Sequence, residues 1–104
     1  LKWGEERVQI HSNRSAFVIG RDPDQCDLAV TSRRASRKHI WIEFRRGKFV
    51  LIDHSSNGTW VQTQEGKSVY LRREELPLLG SGLISLGVPV EENIDDCIRF
   101  VTED

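Results

Sequence analysis

His39-Ile40-Trp41-Ile42-Glu43-Phe44-Arg45-Arg46-Gly47-Lys48-Phe49-Val50-Leu51-Ile52-Asp53 is the stretch on which the fold of this chain turns. Successive side chains of a strand point to opposite sides of a sheet, so Ile40, Ile42 and Phe44 share one face while Trp41 and Glu43 share the other. That is the period of a strand with one buried face. Arg45-Arg46-Gly47 turns the chain, and Phe49-Val50-Leu51-Ile52 follows, apolar at every position. An apolar run of strand length predicts a central strand covered on both sides, and the two segments together predict an antiparallel hairpin.

Outward from this hairpin the pattern repeats. Short β-branched or aromatic runs separated by turn residues predict further strands at Arg7 to His11, Ala16 to Gly20, Asp27 to Val30, Thr59 to Val61, Lys67 to Leu71, Leu83 to Leu86 and Cys97 to Val101. The one helical candidate, Arg72 to Leu76, is stopped by Pro77 and can form a single turn at most. Nine or more short strands without a helix predict an all-β sandwich of two antiparallel sheets, with function on loops at one end.

The 104 residues, 12.0 kDa, hold one domain and no second. No apolar run approaches the roughly 20 residues of a membrane-spanning helix, and no secretory signal is legible. The chain opens Leu1-Lys2-Trp3 without Met, so residues 1–104 are expected to be a piece excised from a larger protein. Cys26 and Cys97 lack metal or disulfide-scaffold spacing, and reduced thiols in a cytoplasmic protein are the plain reading. A net charge of −1 conceals an asymmetry. Between positions 33 and 48, Arg33, Arg34, Arg37, Lys38, Arg45, Arg46 and Lys48 face only Glu43, whereas from 91 to 104 six acids, Glu103 and Asp104 among them, face Arg99 alone. The basic window points to an anionic partner.

Three loops concentrate turn-forming and anion-binding residues. Gly20-Arg21-Asp22 ends a strand with a guanidinium, whose planar fork of donors suits phosphate. Arg33-Arg34-Ala35-Ser36-Arg37-Lys38-His39 combines a hydroxyl, cations and backbone N–H groups before a strand, with His39 expected to be a buried structural residue. Asp53-His54-Ser55-Ser56-Asn57-Gly58-Thr59 carries Asn-Gly, a strong hairpin signal, and presents the Ser56 hydroxyl and the Asn57 amide at a fixed place. Singly, each is also what a solvated basic loop or a plain turn looks like.

Taken in order, Gly20-Arg21, Ser36-Arg37-Lys38-His39, Asp53 with Ser55-Ser56-Asn57-Gly58-Thr59-Trp60-Val61, and Leu83-Ile84-Ser85-Leu86-Gly87 resemble the forkhead-associated (FHA) domain over roughly residues 6 to 102. The resemblance implies a β-sandwich of about eleven strands that is not an enzyme, needs no cofactor or metal, and binds phosphothreonine in peptide segments. Carried over by position, it implies that Arg21 and Ser36 contact the phosphate and that Arg37 or Lys38 borders it. Ser56 then lies in the phosphate pocket and Asn57 bonds the peptide backbone, while Gly20, His39 and Gly58 are architectural. Many members carry Thr at the place of Ser56, which keeps the hydroxyl and lacks the methyl, and Asn at the place of Gln62. The stretch from Ala35 through Leu86 is most similar to FHA domains attached to bacterial adenylate or guanylate cyclases, which implies a regulatory role.

Other chemistries find less in the sequence. His39 or His54 with Asp53 and Ser55 could be written as a catalytic set, but no G-x-S-x-G elbow accompanies them and four adjacent polar residues make a turn. His11, Cys26, His39, His54 and Cys97 show no metal-ligand spacing. Nucleic-acid binding through the window 33–48 is the alternative, although exposed aromatics beyond Trp41 and Trp60 are lacking. Asn13-Arg14-Ser15 and Asn57-Gly58-Thr59 match the glycosylation pattern by coincidence. Arg33-Arg34-Ala35-Ser36 resembles a basophilic kinase site, where a phosphate would block the pocket.

Overall fold

The computed structural model describes residues 1–4, 6–11 and 16–102. The Asn13-Arg14-Ser15 pattern and the acids Glu103 and Asp104 lie outside them. Among the described residues eleven strands run in chain order: β1 (Lys2–Trp3), β2 (Glu6–Arg7), β3 (Phe17–Gly20), β4 (Leu28–Ala29), β5 (Ile40–Arg45), β6 (Lys48–Asp53), β7 (Thr59–Thr63), β8 (Ser68–Leu71), β9 (Glu75–Leu78), β10 (Ser81–Leu86) and β11 (Ile98–Val101). A single 3-10 turn, Val90–Glu92, interrupts the connection from β10 to β11. No helix among the described residues is long and apolar enough to cross a membrane.

The hairpin is as expected. β5 and β6 pair from Ile40 with Asp53 to Arg45 with Lys48. Arg46 and Gly47 both take positive φ, 50° and 81°, which is what a two-residue turn matched to the strand twist demands. Around it the strands divide into a six-stranded sheet ordered β2-β1-β11-β10-β7-β8 and a five-stranded sheet ordered β4-β3-β5-β6-β9. Every pairing is antiparallel except that of β3 with β4, which is parallel. The core lies between the sheets, where Ile19, Ile40, Ile42 and Leu51 of one meet Val61, Ile84, Leu86 and Ile98 of the other.

Three expectations need correcting. The segment from Arg72 to Leu76 makes no helical turn: its second half opens β9, which contains Pro77 opposite Val50. β9 is the outer strand of its sheet, and a residue without an N–H is tolerated on an edge because one side has no ladder to join. Nor is β6 covered by a second layer on both faces. Leu51 faces the core, whereas Val50 and Ile52 are shielded by their cross-strand neighbours Glu43 and Trp41 on β5 and Pro77 and Glu75 on β9. The strand expected from Arg7 to His11 stops after Arg7.

Leu51 is fully buried in the core, and its truncation leaves a cavity. Leu51→Ala is expected to lower unfolding free energy by about 2–5 kcal/mol. Leu79→Ala, at a side chain 65% exposed, should change it by less than about 0.5 kcal/mol in the same urea titration.

Candidate functional site

One fully buried side chain ties three loops together at the end of the sandwich where β5 begins. His39 precedes β5. Its backbone N–H donates to Ile19 O at the end of β3 (2.9 Å), and its carbonyl accepts from His54 N–H (3.0 Å). Its ring reaches the other two loops. Nδ1 accepts from the Ser36 N–H at 2.9 Å, and Nε2–H donates to the Gly58 carbonyl at 2.8 Å. A backbone donor at one nitrogen and a carbonyl at the other allow only the neutral ring protonated on Nε2. Burial pushes its pKa down, outweighing the opposite pull of the Gly58 carbonyl and of Asp53, whose Oδ2 lies 3.9 Å from Nε2.

The loop from Asp53 to Thr59 is built on a second buried group. The Asp53 carboxylate accepts from the Ser55 N–H (3.0 Å), the Ser55 hydroxyl (2.8 Å), the Arg73 N–H (3.0 Å) and the Thr59 hydroxyl. Burial alone would raise its pKa, but these donors hold it below the usual carboxylate value. The Ser55 oxygen in turn accepts from Gly58 N–H at 2.7 Å. The Asn57-Gly58 turn is therefore not the hairpin that the dipeptide predicts. It carries the chain from β6 in one sheet to β7 in the other, with Gly58 alone at positive φ, 90°. A Cβ on Gly58 would sit 2.4 Å from the Tyr70 ring, so the glycine is fixed by space as well as by conformation.

These frameworks bring four of the six expected contact residues together. Gly20 lies so close to the next loop that a Cβ would stand 2.2 Å from the Arg37 carbonyl oxygen. This approach lets Arg21 N–H donate to Ser36 O (2.9 Å) and Asp22 N–H to Arg37 O (3.2 Å). Ser56 N–H donates to the Ser36 hydroxyl oxygen at 3.2 Å, and the Asn57 side-chain amide donates to Arg34 O at 3.1 Å. The exposed Arg21 guanidinium makes no hydrogen bond or ion pair with the described residues, and the Asn57 amide oxygen has no donor among them. Arg37 and Lys38 are exposed beside this group. The Lys38 ammonium lies 5.9 Å from the centre of the Trp41 ring, which meets the His54 ring edge-on at 4.0 Å.

The basic window does not form one surface. Arg33, Arg34, Arg37 and Lys38 belong to the loop end, while Arg45, Arg46 and Lys48 sit at the far end of the β5–β6 hairpin, about 20 Å away. Arg45 there is paired with Glu43 (2.9 Å) and Glu75 (3.0 Å). A concavity of about 450 Å³, lined by Phe44, Phe49, Leu78 and Phe100 among others, also lies at that far end. At the loop end Arg21, Arg37, Lys38, Ser56 and Asn57 are exposed. Ser55, offered by the sequence as a nucleophile, is buried with its hydrogen directed at Asp53.

Sequence reasoning missed Asp22, Cys26 and Tyr70. Cys26 Sγ donates to Arg37 O at 2.9 Å, and Asp22 Oδ1 accepts from Asp24 N–H at 2.9 Å, so both shape the strand-end loop. Tyr70, whose ring covers Gly58, comes from a distant strand and had no local signal.

A pH dependence follows from His39. The ring is neutral when folded and its pKa is lowered, so the unfolded chain takes up the proton first. The contribution of His39 is present in full above about pH 6.5 and is lost as pH falls below that value. In urea titrations the stability gap between wild type and His39→Gln should narrow from pH 7.5 to pH 5. A gap that stays constant would assign the buried ring another protonation state.

The FHA domain family model matches residues 17–77. Among solved structures, the first FHA domain of Mycobacterium tuberculosis Rv1747 superposes with TM-score 0.71 at 21% identity, over 96% of this chain and 90% of that one. The N-terminal FHA domain of Saccharomyces cerevisiae Rad53p, solved with a phosphothreonine peptide, gives TM-score 0.62 at 30% identity, over 89% of this chain and 70% of that one. Mycobacterium tuberculosis EmbR, solved with a low-affinity phosphopeptide, gives 0.55 at 30%, over 69% of this chain and 17% of that one. No curated protein sequence matches. With a β-sandwich whose loops are tied by His39, and a family model spanning more than half of its residues, this chain belongs to the FHA domain family.

Proposed function

We propose that this domain recognises phosphothreonine in an extended segment of a partner protein and has no catalytic role. The supporting observation is the convergence of Arg21, Ser36, Ser56 and Asn57 at one end of the sandwich, with the Arg21 guanidinium and the Asn57 amide oxygen unengaged. In this reading Arg21 and the Ser36 and Ser56 hydroxyls bind the phosphate oxygens, while Arg37 or Lys38 adds positive charge beside them. Asn57, already held through its amide nitrogen, offers its oxygen to a ligand N–H. His39, Gly20 and Gly58 hold the loops and touch no ligand. Rad53p bound to a phosphothreonine peptide at 30% identity supports the choice of ligand.

We further place the domain in a larger cytoplasmic signalling protein. Ala35 through Leu86 resembles domains attached to adenylate or guanylate cyclases, and regulation of such an output domain is part of the proposal. The five cations at the loop end, Arg21, Arg33, Arg34, Arg37 and Lys38, would draw a phosphorylated segment in before the short-range contacts form.

The test is a fluorescence-anisotropy titration with one peptide in phosphothreonine, phosphoserine and threonine forms. The phosphothreonine form is expected at roughly micromolar affinity and the unphosphorylated form without detectable binding. Saturable duplex-DNA binding that weakens steeply with salt would replace this reading with the nucleic-acid alternative.

Arg21→Ala should weaken phosphopeptide binding by about 2–4 kcal/mol and leave the melting temperature within about two degrees, because the exposed guanidinium makes no hydrogen bond or ion pair with the described residues. Wild-type affinity in this variant would remove Arg21 from the site. Phosphothreonine and phosphoserine carry the same charge, so any preference must come from packing of one methyl. With Ser56 narrowing the pocket less than Thr would, phosphothreonine should win by roughly tenfold. Equal affinities would show that phosphate alone is read.

A further inference from the structure

On the outer face of the six-stranded sheet three cations stand in one row. Lys2 on β1 is the cross-strand partner of both Arg7 on β2 and Arg99 on β11. All three side chains are exposed, and none has an ion pair with the described residues; Glu5, in the turn between Lys2 and Arg7, lies outside them. Neighbouring strands lie about 4.8 Å apart, and like charges directly opposite one another destabilise a sheet unless a counter-charge reaches them. Two residues along β11 on the same face, Val101 is 71% exposed.

The connection from β10 to β11 displays the opposite charge. Glu91, Glu92, Asp95 and Asp96 are exposed, with Ile94 among them at 55%. Buried groups hold this segment in place. Val90 is buried, the Asn93 side-chain amide donates to the Ser85 oxygen (3.2 Å), the Ser85 hydroxyl donates to Val88 O (2.6 Å), and the Cys97 thiol donates to Asn93 O (3.1 Å). Ser85 lies between Ile84 and Leu86, which face the core, so the segment covers the outer side of β10. Leu83, two residues before Ser85 on that side, is the partner of Arg99. The acidic segment and the cation row are therefore neighbours on one face.

A partner of a single sign fits only half of such a face. A polyanion is repelled by the four carboxylates and a basic segment by the three cations. A second copy, turned about a two-fold axis between the patches, sets each cation row against the other's acidic segment, so the contact is made twice. Ile94 and Val101 add exposed apolar surface to bury with it.

We propose that this face pairs with a second copy of the chain, the row Arg7, Lys2 and Arg99 of each docking on segment 91–96 of the other. Neither patch includes Arg21, Ser36, Ser56 or Asn57, so the inference stands apart from the phosphothreonine reading. Sedimentation velocity tests it. Wild type should dimerise at about 50 mM salt with a dissociation constant of roughly 10–100 µM, rising at least about fivefold at about 500 mM. Lys2→Glu/Arg7→Glu/Arg99→Glu should be monomeric, as should Glu91→Lys/Glu92→Lys/Asp95→Lys/Asp96→Lys. Combined in one chain, the two sets should restore the homodimer, which a merely unfolded variant would not do. Arg46→Glu/Lys48→Glu, at the far hairpin, should dimerise like wild type, and Ile94→Ser should weaken the dimer by about threefold or more without a change of charge. A wild type that stays monomeric, a dimer that survives either charge reversal, or a combined variant that stays monomeric overturns the proposal. A monomer whose cation row instead binds vesicles of anionic lipid also overturns it and gives the row to a membrane surface.

Discussion

An imidazole with an N–H donor on one side and a carbonyl on the other is the constraint on which the rest of this site depends. His39 is the common partner of Ser36 and Gly58, and its own backbone fastens the ends of β3 and β6. The neutral imidazole supplies an acceptor at one ring nitrogen and a donor at the other, held in one rigid plane. Remove either function and a buried backbone group in one of the loops is left unpaired, at a cost of about 1–3 kcal/mol.

The division of labour that follows explains how a binding surface can be both rigid and reactive toward a ligand. The scaffold satisfies itself through buried groups: Asp53 with Ser55, Thr59 and the Arg73 N–H, and His39 with the loops. No buried side-chain polar atom among the described residues is left without a partner. The exposed side chains are thereby relieved of structural duty. Arg21 stays on a backbone tethered to Ser36, with its guanidinium free, so ordering it for a ligand costs only its own rotamers.

Close approach is the second element of that rigidity. Gly20 lets the β3 end touch the loop carrying Ser36, and Gly58 lets Tyr70 lie over the turn carrying Ser56 and Asn57. A methyl group would meet backbone at Gly20, and at Gly58, where φ is 90°, it would both strain the backbone and push the Tyr70 ring aside. These two close approaches help set the spacing between the loops that carry Arg21, Ser36, Ser56 and Asn57.

Arg21, Ser36, Ser56 and Asn57 were singled out by the ordered resemblance to a family, whereas the strand faces, the β5–β6 hairpin and the order of the three loops are legible in the sequence itself. Each of these follows from patterns within a few residues, because side-chain alternation and turn preference are local properties. The Asp53-x-Ser55 spacing, in which a carboxylate caps an N–H two residues on, belongs to the same legible class. Three features were decided only by the tertiary structure: the placing of Pro77 on a sheet edge, the crossing of Asn57-Gly58 between sheets instead of a hairpin, and the seating of Tyr70 on Gly58. A proline stops a helix and tolerates an edge strand equally well, and Asn-Gly turns a chain without specifying which strand receives it. The partner across a sheet is chosen by burial summed over many distant residues, and that sum exists only in the assembled sandwich.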